Sequence, residues 1–463
     1  MKILLIAYDN DSFIHWFPHG LAYIASVLRN AGHEITVYNQ DQYHYPESHL
    51  TYFLNTNTFD VVGLGVIAGY YQYRKLLQIS KAVNDATRRP HYVLGGHGPS
   101  PEPEYFLNIS KADAIIIGEG ERTIIELLET LVGGGELSSV AGVAFLDGNG
   151  RLVTTAPREP IKEIDAVPYP AWDLFPMDYY ALMREPHIRI GERCFPVLSG
   201  RGCPFTCNFC YRMDKGIRVR SSQSVVDEIL ILKKRYGISY VAFTDELLMS
   251  SPSRTIELCE AFIKAELNIH WSCNGRLNYA TPDVLKTMKR SGCVFIGYGI
   301  ECLDDAVLKT MNKQLTVEQI IKGIEATLQA GISPGFNVIF GNIGESADTL
   351  RAGTEFLLKY DDHAQLRTIR PVTPYPGSDL YYYAIKKGLL KDVGEFYEKR
   401  LINSDLLSVN FTDLSDDEFH EHLFQANKKL LENYYRHKLV EQTAMLKKLY
   451  YEKNPAFRGF RQT

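Results

Sequence analysis

Two stretches of this chain alternate short, continuously apolar runs with amphipathic helical runs, which confines it to α/β architectures built on parallel sheets. In the first 130 residues the expected strands are 2–8, 34–39, 61–66, 91–95 and 114–118, with helices over 21–31, 73–86 and 123–131. Short Gly or Pro turns separate them, the pattern of a doubly wound sheet with helices on both faces. Ligands in such sheets sit beyond the C-terminal strand ends, near the point where strand order reverses. The alternation resumes from residue 195 to about 380, with expected strands 195–199, 240–244, 270–274, 294–300, 333–340 and 365–372.

At 463 residues the chain is long for one core. Two domains plus an appendage are expected: 1–135, a proline-rich linker over 136–190 with a hairpin at Asp147-Gly-Asn-Gly150, 191–385, and a helical segment over 386–463 that includes a basic run from 436 to 453. A net charge of −5 gives no overall positive field for nucleic acid. No apolar run approaches the roughly 18 residues that span a bilayer. The N-terminal run reads as a buried strand rather than a signal peptide, because Asp9 and Asp11 end it early. Eight cysteines in this length do not make a disulfide scaffold, so a reducing cytoplasm is expected.

Three of those cysteines carry the chemistry. Gly200-Arg-Gly-Cys-Pro-Phe-Thr-Cys-Asn-Phe-Cys-Tyr211 spaces Cys203, Cys207 and Cys210 as Cys-x3-Cys-x2-Cys, with Phe209 just before the third thiol. Three thiolates on one tight loop hold three corners of a cubane iron–sulfur cluster and leave one iron open. Structural zinc usually closes with four ligands, often as two separated pairs. No second Cys-x2-Cys pair exists here; zinc or plain buried thiols are the rival readings. The loop resembles the radical S-adenosylmethionine (SAM) superfamily. That resemblance implies a [4Fe-4S] cluster on Cys203, Cys207 and Cys210 whose open iron chelates S-adenosyl-L-methionine. Reductive cleavage then gives a 5′-deoxyadenosyl radical, and the electron comes from an external one-electron reductant of flavodoxin or ferredoxin type. It also implies a partial (β/α)6 barrel with its chemistry at the C-terminal strand ends.

The turns of the first domain are glycine-rich: Phe17-Pro-His-Gly-Leu-Ala-Tyr23 with Gly20, Gly63-Leu-Gly-Val-Ile-Ala-Gly69 with Gly65, Gly95-Gly-His-Gly-Pro-Ser100, and Gly118-Glu-Gly-Glu121. Glycine there lets backbone approach a ligand, and tight turns need glycine in any case. Upstream of the cysteine loop, these runs resemble the cobalamin-binding domain of cobalamin-dependent radical SAM enzymes. The resemblance implies a cobalamin site that includes Gly20, Gly65, Gly95, Gly96, Ser100, Gly118, Glu119 and Gly120. An Asp-x-His-x-x-Gly run, whose His binds cobalt in other cobalamin domains, is absent. His15, His19, His33 and His97 read as turn or surface residues, and some relatives bind cobalamin without a protein His.

The same resemblance assigns roles to barrel strand ends. Phe243-Thr-Asp-Glu246 offers Asp245 and Glu246 to the S-adenosylmethionine ammonium, where a carboxylate neutralises a cation in a low-dielectric pocket; Asp is also a good helix N-cap. Trp271-Ser-Cys-Asn-Gly-Arg276 offers Asn274 and Arg276 to ribose and carboxylate. Gly297-Tyr-Gly-Ile-Glu301 offers Glu301 to ribose hydroxyls. Asn337 and Phe340, and the loop Thr373-Pro-Tyr-Pro-Gly377, are expected around adenine or substrate. Tyr211, Tyr298 and above all Tyr375 are expected to line the substrate cavity. Of the other cysteines, Cys259 and Cys293 read as core, and Cys273 and Cys302 stand where a thiol can reach substrate. The implied reaction is methylation of an unactivated carbon through the radical and methylcobalamin, on a small-molecule or peptide substrate. A radical cyclisation, dehydration or rearrangement without methyl transfer is the alternative, and a cobalamin or redox sensor is the non-enzymatic one.

Overall fold

The computed structural model describes residues 1–11, 15–213 and 215–455. Five strands, β1 (Lys2–Ala7), β2 (Glu34–Asn39), β3 (Val61–Gly65), β4 (His91–Gly95) and β5 (Ala114–Ile116), form a parallel sheet in the order β2-β1-β3-β4-β5. Strand order reverses between β1 and β3, so the turns leaving them diverge and open a crevice at their C-terminal ends. The sheet is buried on both faces. Ile3 and Leu5 of β1 pack with Ala25, Leu28, Ile124 and Leu127, while Leu4 and Ile6 face the opposite way toward Leu76, Ile79 and Leu107. That period of two is why the strands read as unbroken apolar runs. β6 (Val143–Leu146) and β7 (Leu152–Thr154), the hairpin ahead of the proline-rich stretch, add antiparallel strands beside β5.

A second, wholly parallel sheet follows. It consists of β8 (Cys194–Val197), β11 (Tyr240–Phe243), β12 (His270–Gly275), β13 (Cys293–Glu301), β14 (Ser333–Phe340) and β15 (Arg370–Pro371), in the order β15-β14-β13-β12-β11-β8. Successive strands lie side by side, which is the arrangement of an open, partial barrel. Between β8 and β11 a two-residue ladder, β9 (Gly200–Arg201) with β10 (Arg218–Val219), closes the stem of the cysteine loop. The sixth strand is shorter than expected. Buried Arg367 pairs with Asp361 (3.4 Å) and with Asp362, so the residues before Arg370 are held in a charged turn rather than a ladder.

The C-terminal third of the chain serves both sheets. Tyr381, Ala384, Leu390, Phe396 and Tyr397 join the core beneath the first sheet, where Tyr397 stacks on Tyr73 at 4.7 Å. The helix Asp416–Tyr450 instead buries Phe419, Leu423, Ala426 and Leu430 against the barrel side. Phe17 and Ala22 of the first domain belong to the barrel's own core, beside Tyr180 and Phe195. Among the described residues no helix is long and apolar enough to cross a membrane.

Candidate functional site

The cysteine loop leaves the end of β9 and is braced from three sides. Asn208 donates its amide to the Met311 carbonyl (2.9 Å) and accepts from the Leu380 amide (2.8 Å), and its side chain exchanges bonds with Asn342 at 3.0 and 3.2 Å. Asn312 reaches the Thr206 carbonyl at 3.0 Å. Cys203 and Cys207 are partly buried and Cys210 is exposed. The surrounding protein, and then neighbouring Cys207, push the Cys210 thiol up to about 12; burial also raises Cys207, against the nearby Lys313 charge. Iron binding draws such thiols into the thiolate form. Among the described residues no three His, Cys, Asp or Glu side chains gather about a single ion position. The donor set, three neighbouring thiols on one loop, fits a cluster that meets each thiol through a different iron.

Cationic and acidic groups surround this loop. The Arg276 guanidinium lies 3.4 Å from the centre of the Phe205 ring and donates to the carbonyls of Lys313 and Gln314, while its buried Nε has no protein partner. Burial lowers its pKa. Lys313 Nζ pairs with Glu301 Oε1 at 2.7 Å and lies 5.9 Å from the Phe209 ring centre. Glu301 follows an irregularity in the β13–β14 ladder and has φ +67°, left-handed backbone that aims its carboxylate back along the strand toward Gly299.

The two carboxylates after β11 are placed differently. Asp245, 3 % exposed, accepts from the Ser199 amide (3.0 and 3.1 Å) and hydroxyl (2.7 Å), and burial pushes it up to about 6. It ties the end of β11 to the end of β8. Glu246 is exposed and accepts from the Gly202 amide. Asn274 is exposed at the end of β12 and holds the Asp245 carbonyl at 3.0 Å.

Several expected substrate contacts lie elsewhere. Tyr298 is fully buried and bonds Thr327 Oγ1 at 3.0 Å in the helix layer, on the side of β13 away from Gly297 and Gly299. Phe340 stacks on Phe419 at 4.6 Å beneath the C-terminal helix. Cys273 is buried against Cys293, and Cys302 against Glu345. Period-two alternation decides Tyr298, Phe340 and Cys273, whose side chains fall on the helix-facing row, while Cys302 lies beyond β13, past the left-handed Glu301. Asn337 is on the exposed row. Tyr375 is half-buried, with its ring 6.0 Å from Phe396.

The first domain's turns sort into two kinds. Gly96 (φ +96°) is required by packing, because a Cβ would meet Val66 O at 2.5 Å, whereas at Gly120 a Cβ would meet only the movable tip of Ile24, Cδ1 at 2.9 Å. At Gly20 and Gly65 a Cβ would meet nothing within 4 Å, and Gly95 has only ordinary contacts. Those open positions, after β1 and at the C-terminal ends of β3 and β4, fit backbone approach by a flat macrocycle. Ser100 Oγ closes its turn on Gly96 O (2.7 Å), and Gly118 is left-handed at φ +82°. Glu119 is engaged by protein: it accepts from Arg201, Arg218 and the Ile161 amide. Neither arginine, nor Lys313, was singled out by sequence reasoning. Their signal is weak, a single cation near a motif.

The two sets of turns face one another. His97 packs edge-on to Tyr211 at 6.1 Å and feels the Glu246 carboxylate, although burial lowers its pKa overall. Gly377 of the loop after β15 lies against both Tyr211 and Pro101.

Residues 197–357 match the radical SAM superfamily profile and residues 12–128 the B12 binding domain profile. A protein of Pyrococcus horikoshii named as an uncharacterized methyltransferase is 31% identical over 402 residues, 84% of each chain. The anaerobic magnesium-protoporphyrin IX monomethyl ester cyclase of Rubrivivax gelatinosus is 28% identical over 79% of this chain and 66% of its own. Among solved structures, the radical SAM methyltransferase TsrM of Kitasatospora setae, with cobalamin and a [4Fe-4S] cluster bound, superposes with a TM-score of 0.67 at 16% identity, over 83% of this chain and 75% of that one. The chain belongs to the cobalamin-dependent radical S-adenosylmethionine enzymes, whose cofactors are a [4Fe-4S] cluster, S-adenosylmethionine and cobalamin.

Proposed function

We propose that this enzyme transfers a methyl group to an unactivated carbon of a small-molecule or peptide substrate held between the two sets of turns. Cys203, Cys207 and Cys210 hold the cluster. Glu246, Asn274, Arg276 and Glu301 line the S-adenosylmethionine site beside it, and Asp245 braces the strand ends from beneath. The unpartnered Arg276 Nε and the exposed Glu246 carboxylate suit the carboxylate and the ammonium of that cofactor respectively. Gly20, Gly65, Gly95–Ser100 and the backbone of Gly118–Gly120 would hold cobalamin. When bound, the cluster with S-adenosylmethionine supplies hydrogen abstraction, and cobalamin supplies the methyl group.

The observation that carries this reading is the junction of Tyr211, His97 and Gly377. It sets the end of the cysteine loop against the fourth turn of the first domain. Each of the three is partly buried, so their contact narrows solvent access to the space between the two sets of turns. Tyr375 stands on the same loop as Gly377 and orients the reacting carbon. A flavodoxin- or ferredoxin-type protein delivers the electron, in a cytoplasmic setting.

Anaerobic reconstitution tests the cofactor set. About four irons and four sulfides per chain, and one tightly held cobalamin, are expected. Alanine at Cys203, Cys207 and Cys210 removes iron and deoxyadenosine formation together while cobalamin stays bound. Zinc retained in place of iron contradicts the reading. The cyclase relative keeps radical chemistry without methyl transfer as the second reading.

A further inference from the structure

We propose that Glu119, Glu121, Arg201 and Arg218 are positioning residues that lock the cysteine loop's stem to the fifth turn of the first domain and so set the separation of the two metal centres. This rests on the reading that the cluster and cobalamin occupy the sites assigned above. The four side chains form one buried array, with side-chain exposures of 6 % for Glu119, 8 % for Glu121, 14 % for Arg201 and 15 % for Arg218. Arg201 forks between two carboxylates: Nη1 to Glu119 Oε1 at 2.7 Å and Nη2 to Glu121 Oε1 at 2.6 Å. Arg218 Nη1 lies 2.9 Å from each Glu119 oxygen and also donates to the Ile161 carbonyl at 2.8 Å. The Ile161 amide returns a bond to Glu119 Oε2 at 2.7 Å, which brings the proline-rich stretch into the same array.

Placement makes this more than a surface ion pair. Glu119 and Glu121 leave the C-terminal end of β5, a ligand-facing edge of the first sheet. Arg201 and Arg218 face each other across the β9–β10 ladder, and Arg201 is two residues before Cys203. Gly202, between them, donates to Glu246, and the Arg201 guanidinium also lies 5.3 Å from the Tyr23 ring centre on the first domain's opening helix. One short chain of bonds therefore runs from the turn assigned to cobalamin to the first cluster cysteine. Guanidinium forks resist both rotation and sliding because two donors must keep two acceptors in one plane. Burial removes the screening that makes exposed pairs weak.

The Glu119 carboxyl is held below the usual carboxylate range. Burial raises it, and the bonds from Arg218, the Ile161 amide and Arg201 more than offset that rise. Glu119, the carboxylate that both arginines share, thus stays charged at ordinary working pH, and the bonds it accepts act as a fixed strut.

The test needs no substrate. Protein loaded with the cluster and cobalamin is reduced so that the [4Fe-4S]+ cluster and cob(II)alamin are both paramagnetic, and the dipolar coupling between them is recorded by pulsed electron paramagnetic resonance. The unmodified protein is expected to give one narrow separation. Glu119→Gln and Arg218→Lys, each still carrying both centres, are expected to broaden it and shift it to longer distance. Glu121→Gln, which keeps an oxygen acceptor but removes the charge from one arm of the fork, gives a smaller broadening. Both centres bound with an unchanged separation in all three variants overturns the proposal. Absence of either centre from the unmodified protein overturns the underlying reading instead. If the variants fail to fold, amide hydrogen exchange of the unmodified protein decides. Residues 118–121 and 200–203 exchange as one unit under the proposal, and independent exchange overturns it.

Discussion

Lys313 and Glu301 form an ion pair at 2.7 Å in which neither side chain is more than a tenth exposed, directly beside the cysteine loop. Lys313 comes from the turn after a short helix and Glu301 from the end of β13, so the pair clamps the rim of the barrel where S-adenosylmethionine is assigned. Removing one partner leaves an uncompensated buried charge, at a cost of about 3–5 kcal/mol. Lys313→Met is expected to lower stability by that order in chemical denaturation. The double variant with Glu301→Gln is expected to recover most of it. Additive losses would show that the two groups act independently.

Gly377 offers a steric test of the junction. A Cβ there would stand 2.4 Å from Tyr211 Cδ2 and 2.9 Å from Pro101 Cβ, at φ +92°. Gly377→Ala is expected to cost about 1–3 kcal/mol from crowding alone, with backbone strain in addition. Tyr211→Ala in the same background relieves the crowding by that ring, but neither the approach to Pro101 nor the strain. A thermal-melting double-mutant cycle with no coupling between the two positions would contradict the close approach.

Glu345 gives the molecule a pH signature. It is 5 % exposed, accepts 2.8 Å bonds from the Gly341 and Asn342 amides, and is pushed by burial from 4.5 up to about 7. A raised carboxyl pKa means that the folded state binds the proton more tightly than the unfolded chain. This group's contribution to stability therefore falls as pH rises from about 4.5 to about 7, by roughly 3 kcal/mol in all. Glu345→Gln keeps an oxygen for the two amides and removes the titration. The variant is expected to lose this part of the decline between pH 5 and pH 8, read from urea midpoints. An unaltered pH dependence would contradict the assignment.

Much of this was legible in the sequence because it is carried by short-range patterns. Unbroken apolar runs such as that of β1 mark strands covered on both faces, and the three cysteines on one loop restrict their own chemistry. What was not legible depends on which way a side chain points. Tyr298 and Phe340 lie in motifs at strand ends, yet each falls on the helix-facing row, where Thr327 and Phe419 receive them. Long-range partners were equally hidden. Nothing near Glu119 in the sequence announces Arg201 and Arg218, which lie 82 and 99 positions away. Likewise, 379–411 gives no local sign that Tyr381 and Phe396 close the far domain's core rather than the adjacent one.

The most direct measurement follows the methyl group. Reduced protein carrying cluster and cobalamin is incubated with methyl-labelled S-adenosylmethionine, and both the extracted cobalamin and deoxyadenosine are quantified. The expected result is label on cobalamin together with deoxyadenosine, the latter abolished by alanine at Cys203, Cys207 or Cys210. Deoxyadenosine formed with no label ever reaching cobalamin would contradict methyl transfer and leave a radical rearrangement or cyclisation in its place.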